Sequence, residues 1–482
     1  MSVLNKIQPE GVFTIFEQLC AIPHGSRNTK AISDFCVDFA QQRGLRYIQD
    51  ESNNVILFAP ASEGMEHAQP VILQGHLDMV CEKTPDCDLD MEKQGLRLKT
   101  DGEWIWADQT TLGGDDGIAV AYALAILDDA SIQHPPLEVI LTVDEEIGML
   151  GAASIDLGQI GGRRLLNIDS EEEGVLLTSC AGGATVCCSI PMMWSVKKGL
   201  RVSVKIHGLR GGHSGTEINK GRANANMLLG RFLNELDKEY PYALCTVDGG
   251  LKDNAIPRES TADMIISPDY LEELCAYAQK TQNAWREEFG ENDPDIAISI
   301  DEIGIDSHEV MFGDCRRNTL AVMSQLPNGV QAMSQEIEGL VQTSLNLGIL
   351  KTDFRGVHMT FSVRSSINAE KDALMEQLAD LMARYGGGAE IEGEYPAWEY
   401  RKESKLRRIM TQVYTEQYGQ APKIEAIHAG VECGLLAGKL PDLDAISFGP
   451  DIEEIHTTRE RLSIPSVQRT WKFILGVLKA CK

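Results

Sequence analysis

No stretch of the 482-residue sequence offers some 18 consecutive uncharged apolar residues, so nothing in it reads as a membrane-spanning helix. The start, MSVLNKIQPEGVF, has no basic segment followed by a sustained apolar run, the pattern of a secretory leader, and a cytoplasmic protein is expected. Positive charge is scarce. Lysine and arginine number 44 against 72 aspartates and glutamates, a net charge of −28. A field of that sign argues against nucleic acid and anionic membrane as partners, while a local basic pocket can still hold an anionic group of a substrate. Paired-cysteine motifs are missing too. The 12 cysteines are scattered singly or adjacent, as Cys187 and Cys188, with no CxxC, so neither a structural zinc finger nor a disulfide framework is indicated. There is no low-complexity segment and no short-period repeat.

What is present is an ordinary globular composition, 43% hydrophobic and 24% charged, in a chain too long for one compact core. Short apolar runs at 70–76 (PVILQGH), 136–146 (PLEVILTVDEE) and 163–172 (RRLLNIDSEE) end in acidic residues or histidine, and between them GIAVAYALAILDD, 117–129, has helical length and period. Strands alternating with helices predict an α/β domain whose mostly parallel central sheet is flanked by helices. In such sheets the functional side chains gather beyond the carboxyl ends of the strands. From about residue 184 amphipathic strands and charged-faced helices alternate in an α+β pattern, long enough for two similar units. After about residue 397 come a helix, the run DAISFGP and a closing helix. The expected organisation is a catalytic domain in two pieces, 1–183 and 397–482, interrupted by an inserted α+β lid domain, 184–396.

The stretch QGHLDMV, 74–80, puts His76 and Asp78 one residue apart where a strand runs out. Period-2 geometry sends both to one face. That suits a metal-ligating histidine whose other ring nitrogen is held by a carboxylate, although a surface pair in a turn has the same spacing. Further donors stand in TTLGGDDGIA (110–119), TVDEEIG (142–148), NIDSEEEG (167–174) and SFGPDIEEIHTTRERL (447–462). Histidines and carboxylates spread over several strand ends match what borderline-soft divalent ions such as zinc accept, and two close ions need a bridging carboxylate. Asp115, presented by the glycines of GGDDG ahead of a helix, is the natural bridge. Glu145 and Glu146 can divide labour as base and ligand, because neighbouring side chains at a strand end diverge.

The set GHLDMV, LGGDDG, DEEIG, NIDSEEEG, CAGG, GLRGGHSG, NAIPRE and HAGVECG closely resembles the bacterial aminoacyl-histidine dipeptidases. These are also called Xaa-His dipeptidases, peptidase D or cytosol nonspecific dipeptidases, and belong to the carnosinase-like di-zinc metallopeptidases. The resemblance covers nearly the whole chain and implies a zinc-exopeptidase-like catalytic domain with two zinc ions per subunit, cobalt or manganese being able to substitute. By that resemblance His76, Asp115 and Asp169 bind one ion, and Asp115, Glu146 and His456 the other. Asp78 orients His76, Glu145 is the general base, and the Asp115-Asp116 peptide is cis. His213 of RGGHSG resembles the histidine that relatives bring over the metals to polarise the substrate carbonyl, or is a satisfied lid histidine. Asn254 and Arg364 are expected substrate clamps, an amide for the carbonyl and a guanidinium fork for the terminal carboxylate, with a structural ion pair as the alternative for Arg364. Glu432 meets either the substrate's ammonium or a buried hydrogen-bonding role. His428, His207, His308 and His358 are read as surface or core residues, and the EEE run at 171–173 as a solvated acidic rim.

The implied function is metal-dependent hydrolysis of dipeptides with a free N-terminus, Xaa-His and carnosine-type substrates included, by a zinc-bridged water with Glu145 as general base. An N-acyl-amino-acid deacylase or a tripeptidase would keep the fold and change the substrate, and a catalytically silent scaffold would keep the fold alone. The expected partners are the dipeptide and, as often in relatives, a second copy bound through the lid, unless a lid this long completes the site within one chain.

Overall fold

The structure, a computed structural model, describes residues 2–482. The chain divides into two compact units, one running up to Ser179 and including Tyr400–Ala426 and Val431–Lys482, the other made of Cys180–Glu399 with Ile427–Gly430. The last segment departs from the boundaries expected from sequence, which kept it in the catalytic domain. Its carbonyls explain the change: Ala181 N–H donates to Ile427 O and Ala429 O at 3.2 and 3.1 Å, so residues 427–430 pair with the start of the inserted unit.

The first unit is built on an eight-stranded sheet, ordered Arg46–Gln49, Val55–Ala59, Leu137–Thr142, Val71–His76, Arg164–Asn167, Asp444–Ser447, Val175–Cys180, Lys423–Ile427. Its four middle strands, Leu137–Thr142 to Asp444–Ser447 in that order, are parallel. Antiparallel neighbours flank them. Every residue of Val71–His76 and of Leu137–Thr142 is buried, which is why these strands read as continuous apolar runs. The helix Gly114–Asp128 packs on Val71–His76 and against the helix Glu10–Cys20, and is buried from Asp116 to Ile126. Its Ala/Leu-rich surface is apolar on all sides because it is enclosed on all sides. A small antiparallel sheet, Leu98–Thr100, Trp104–Ala107, Arg461–Ser463 and Ile452–Glu453, holds residues 454–460 as the loop between its last two strands.

The second unit is built on an antiparallel sheet of nine strands, beside a two-stranded one. In Trp194–His207 the residues Val202, Val204 and Ile206 are buried while Arg201, Ser203 and Lys205 between them are half-exposed, the alternation of a sheet covered on one face. The buried residues share a core with Leu228, Leu229, Phe232 and Leu233 of the helix Ala225–Glu239. Among the described residues no helix is long and apolar enough to cross a membrane.

Candidate active site

His76 closes its strand and is 1% exposed. Its Nε2 lies 3.1 Å from Asp115 Oδ1 and 3.5 Å from Asp169 Oδ1. Asp169 follows the strand Arg164–Asn167 by two residues, and Asp115 stands where the helix Gly114–Asp128 begins. The other oxygen of Asp115, Oδ2, is 3.2 Å from His456 Nε2, which is itself 3.0 Å from Glu146 Oε1. Asp115 therefore offers one oxygen to each of two imidazoles. Three overlapping sets of donors each fall within 4.8 Å: Asp115, Glu146 and His456; His76, Glu145 and Glu146; His76, Asp116 and Asp169. Of the two aspartates joined by the cis peptide, Asp116 is committed elsewhere. It accepts the main-chain N–H of His76 at 3.1 Å and occupies the space that glycine leaves at position 75. Asp115 is the one whose carboxylate faces the imidazoles.

Asp78 does hold His76, but through a different atom from the one expected. His76 Nδ1 donates to the main-chain oxygen of Asp78 at 2.9 Å, whereas Asp78 Oδ1 is 3.6 Å away. The strand ends at His76, so strand periodicity no longer governs where the side chain two residues on is aimed. The carboxylate of Asp78 accepts instead from Glu145 N–H at 3.0 Å, Glu146 N–H at 3.4 Å and Ser26 Oγ at 2.8 Å. One residue thus orients both the ring and the Glu145-Glu146 turn.

Among the described residues no lysine or arginine comes within ion-pair distance of Asp115, Glu145, Glu146 or Asp169; their only cationic partners are the two imidazoles. Burial pushes Glu145 well above, and Asp169 above, the usual carboxylate range. For Asp115 burial acts the same way, yet hydrogen bonds with His456 and His76 overcome it and hold the group well below that range. The same contacts with Asp115 and Glu146 push His456 up to about 10. Glu146 Oε1 is buried, and the His456 ring is the one cationic group within ion-pair distance of it among the described residues. Buried acids that lean on imidazolium protons for neutrality suit divalent cations, and the donors, imidazole nitrogen and carboxylate oxygen, are those a transition metal of borderline softness accepts.

The sequence model of peptidase family M20/M25/M40 matches residues 72–480. The chain belongs to this family. It is 35% identical to the cytosol non-specific dipeptidase of Escherichia coli (strain K12), with 99% of each chain covered. Its fold matches the crystal structure of the aminoacylhistidine dipeptidase from Vibrio alginolyticus with a TM-score of 0.94 at 35% identity, over 99% of this chain and 98% of that one. The aminopeptidase PepT from Bacillus cereus shares the fold, with a TM-score of 0.56 at 16% identity over 98% of this chain and 99% of that one.

In the inserted unit of this M20/M25/M40 peptidase, His213 and Asn254 stand at neighbouring backbone segments: Gly212–His213 pairs with Ala255–Ile256, and Ser214 N–H donates to Asn254 O at 2.9 Å. His213 Nδ1 accepts the N–H groups of Gly215 and Thr216, both at 3.2 Å, which leaves the ring proton on Nε2. Burial, with Arg364 second, holds His213 below the ordinary imidazole range. Among the described residues Arg364 has no carboxylate partner. One of its terminal nitrogens donates to Tyr395 Oη at 3.2 Å, and its Nε is buried without a partner, so the structural ion pair is not found.

Glu432 takes the second of its two readings, and part of the acidic run departs from its reading as a solvated rim. Glu432 is 0% exposed, and its Oε2 accepts from Gln74 Nε2 at 2.5 Å and Thr142 Oγ1 at 2.7 Å, the buried hydrogen-bonding role; burial pushes it up to about 7. Glu173 of the acidic run is tied to Arg469 at 2.7 Å, whereas Glu171 and Glu172 are exposed as a rim should be. Sequence reasoning passed over Gln74, which shares the face of His76 by strand period and receives Asn167 Nδ2 at 2.6 Å. His428, read as a surface or core residue, is in the core, 5% exposed with Nε2 at 2.7 Å from Ser344 Oγ; Glu460, for which no local signal exists, was passed over.

Proposed function

We propose that this chain is a cytoplasmic metal-dependent dipeptidase that hydrolyses dipeptides with a free N-terminus, Xaa-His dipeptides among them, and binds two zinc ions per subunit. The observation that carries the proposal is Asp115 facing His76 with one oxygen and His456 with the other, inside a cluster of acids that no lysine or arginine neutralises among the described residues. The printed names of the two relatives at 35% identity, a cytosol non-specific dipeptidase and an aminoacylhistidine dipeptidase, support the substrate class and the compartment.

In this reading His76, Asp115 and Asp169 hold one ion and Asp115, Glu146 and His456 the other, and cobalt or manganese can substitute. Bound there, the ions would polarise the scissile carbonyl and lower the pKa of a water towards ~7. Glu145, whose main-chain N–H is held by Asp78, has no part in that ligand set; it takes the proton of the attacking water and returns it to the departing amine. His213 donates its Nε2 proton to the carbonyl oxygen as negative charge develops. Arg364, with no carboxylate of its own among the described residues, grips the terminal carboxylate, and Asn254 the peptide carbonyl. Glu432 supports the strand ends through Gln74 and Thr142. The remaining partner in the proposal is a second copy of the chain, bound through the inserted unit.

The test is a panel of Xaa-His, β-Ala-His, N-acetyl-Xaa-His, Xaa-His amide and a tripeptide, assayed with metal-stripped and zinc-reconstituted protein. Turnover should depend on zinc, and amidating the C-terminus should cost at least tens-fold in kcat/KM, because leaving the Arg364 charge unpaired costs ~2 kcal/mol or more. Comparable rates on the N-acetyl form would make this a deacylase. Comparable rates on the tripeptide would end the dipeptidase reading.

A further inference from the structure

The loop that presents Asp115 is held by a residue from the far end of the sequence. Glu460 is 3% exposed; its Oε2 accepts the N–H groups of Leu112 at 2.7 Å and Gly113 at 3.1 Å, and its Oε1 accepts that of Gly114 at 2.8 Å. Three successive amides converge on one carboxylate because Gly113 takes a left-handed conformation, φ 69° and ψ 33°, that turns them the same way. A side chain at Gly113 would also lie 2.8 Å from Met79 Sδ. The helix Gly114–Asp128 has no cap from its own N-terminal flank, so these buried amides have Glu460 as their acceptor. The next residue in the chain is Asp115.

Glu460 is equally bound to the other side of the site. It ends the loop 454–460 that carries His456, its own N–H donates to Thr457 O at 3.1 Å, and the strand that follows, Arg461–Ser463, is fixed on Trp104–Ala107. Within that loop Glu454 and His456 both have left-handed backbones, φ 55° and 59°, which a non-glycine residue keeps only where its surroundings impose it. The carboxylate therefore ties the segment bearing Asp115 to the segment bearing His456, and those two side chains meet at 3.2 Å.

We infer that Glu460 is a positioning residue that sets the separation of Asp115 from His456, and so controls metal affinity at one half of the site, the Asp115, Glu146 and His456 half, more than at the other. The inference rests on the two-metal reading above. Glutamine is nearly the same shape but accepts through one oxygen only, and its NH2 group would face a main-chain N–H. Aspartate keeps the charge at a shorter reach.

The full-length protein, stripped of metal, is titrated with zinc by calorimetry as wild type, Glu460→Gln and Glu460→Asp, with zinc content counted after dialysis. Wild type should take up two ions. Glu460→Gln should keep one at wild-type affinity and bind the second at least tenfold more weakly, with kcat recovering as zinc is raised, and Glu460→Asp should fall between. Circular dichroism and thermal unfolding of the metal-free proteins show whether the fold persists. Two ions at wild-type affinity in Glu460→Gln would overturn the inference alone, as would both affinities falling together, or neither variant folding, since the carboxylate would then serve the fold and not one half of the site. Fewer than two ions in wild type would overturn the two-metal reading itself and this inference with it.

Discussion

Glu145 and Glu146 are adjacent in sequence and differ in what surrounds them. Glu146 Oε1 faces His456 Nε2 at 3.0 Å, while Glu145 has no imidazole or cation at ion-pair distance among the described residues. Glu145→Gln should therefore retain two zinc ions and lose at least ~10²-fold in kcat, a general base being needed for chemistry and not for coordination. Metal analysis and kcat measured on one preparation decide it; near-wild-type turnover would remove the role. At His213 the two N–H groups donated to Nδ1 must both be released before that nitrogen can take a proton. Histidine-labelled NMR should show the Nε2–H tautomer and a titration midpoint below the ordinary 6.5. A midpoint at or above that value would contradict a neutral donor. Glu145 could be singled out in the sequence because an acidic pair at a strand end has local chemistry, and His213 only through the resemblance that RGGHSG carries. The atom by which Asp78 acts could not, since periodicity stops applying where the strand stops, at His76.

The strand ends, and the turns that follow them, are the elements that carry the site. Asp78 joins two of them, its carbonyl to the His76 ring and its carboxylate to the amides of Glu145 and Glu146. Asp78→Asn leaves the carbonyl in place and spoils the carboxylate, so zinc content should stay near two per chain while kcat falls about tenfold or more as the Glu145 turn loosens. Loss of zinc in parallel with kcat would return the orienting role to the carboxylate. Apolar runs such as VILQGH and LEVILT were legible as strands because both of their faces are buried. Contacts such as Glu460 with Gly114, 346 residues apart, were not. Hydrophobic period reports what one element buries and carries no information about which distant carboxylate will satisfy its end.

At the scale of the whole molecule, family membership was readable because the motifs are specific in combination, while the resistance of the fold to acid depends on how deeply a titratable group is buried, which no motif reports. His428 is buried beside Ser344, and burial, aided by Arg364, holds it down to about 4 from the ordinary 6.5. As the pH falls through that window the unfolded chain takes a proton that the folded one refuses. Stability is then undiminished above about pH 6.5 and declines towards pH 4, by about 3 kcal/mol from this residue if each pH unit is worth ~1.4 kcal/mol. His428→Gln removes the titration. The fall in urea midpoint between pH 7 and pH 4.5 should be smaller in this variant than in wild type, and equal falls would show that His428 is not the group responsible.

The order of strands in the first unit has a consequence for how the chain is made. Asp444–Ser447 lies between Arg164–Asn167 and Val175–Cys180, yet it leaves the ribosome roughly 270 residues after them. At 5–20 residues per second that is on the order of ten to fifty seconds, during which the nascent sheet has open main-chain edges where its late strand belongs. The inserted unit, contiguous but for four residues, can fold in that interval. His456 emerges last among the proposed ligands, so a growing chain cannot complete the proposed metal cluster, or cut a peptide through it, before residue 456 has been made.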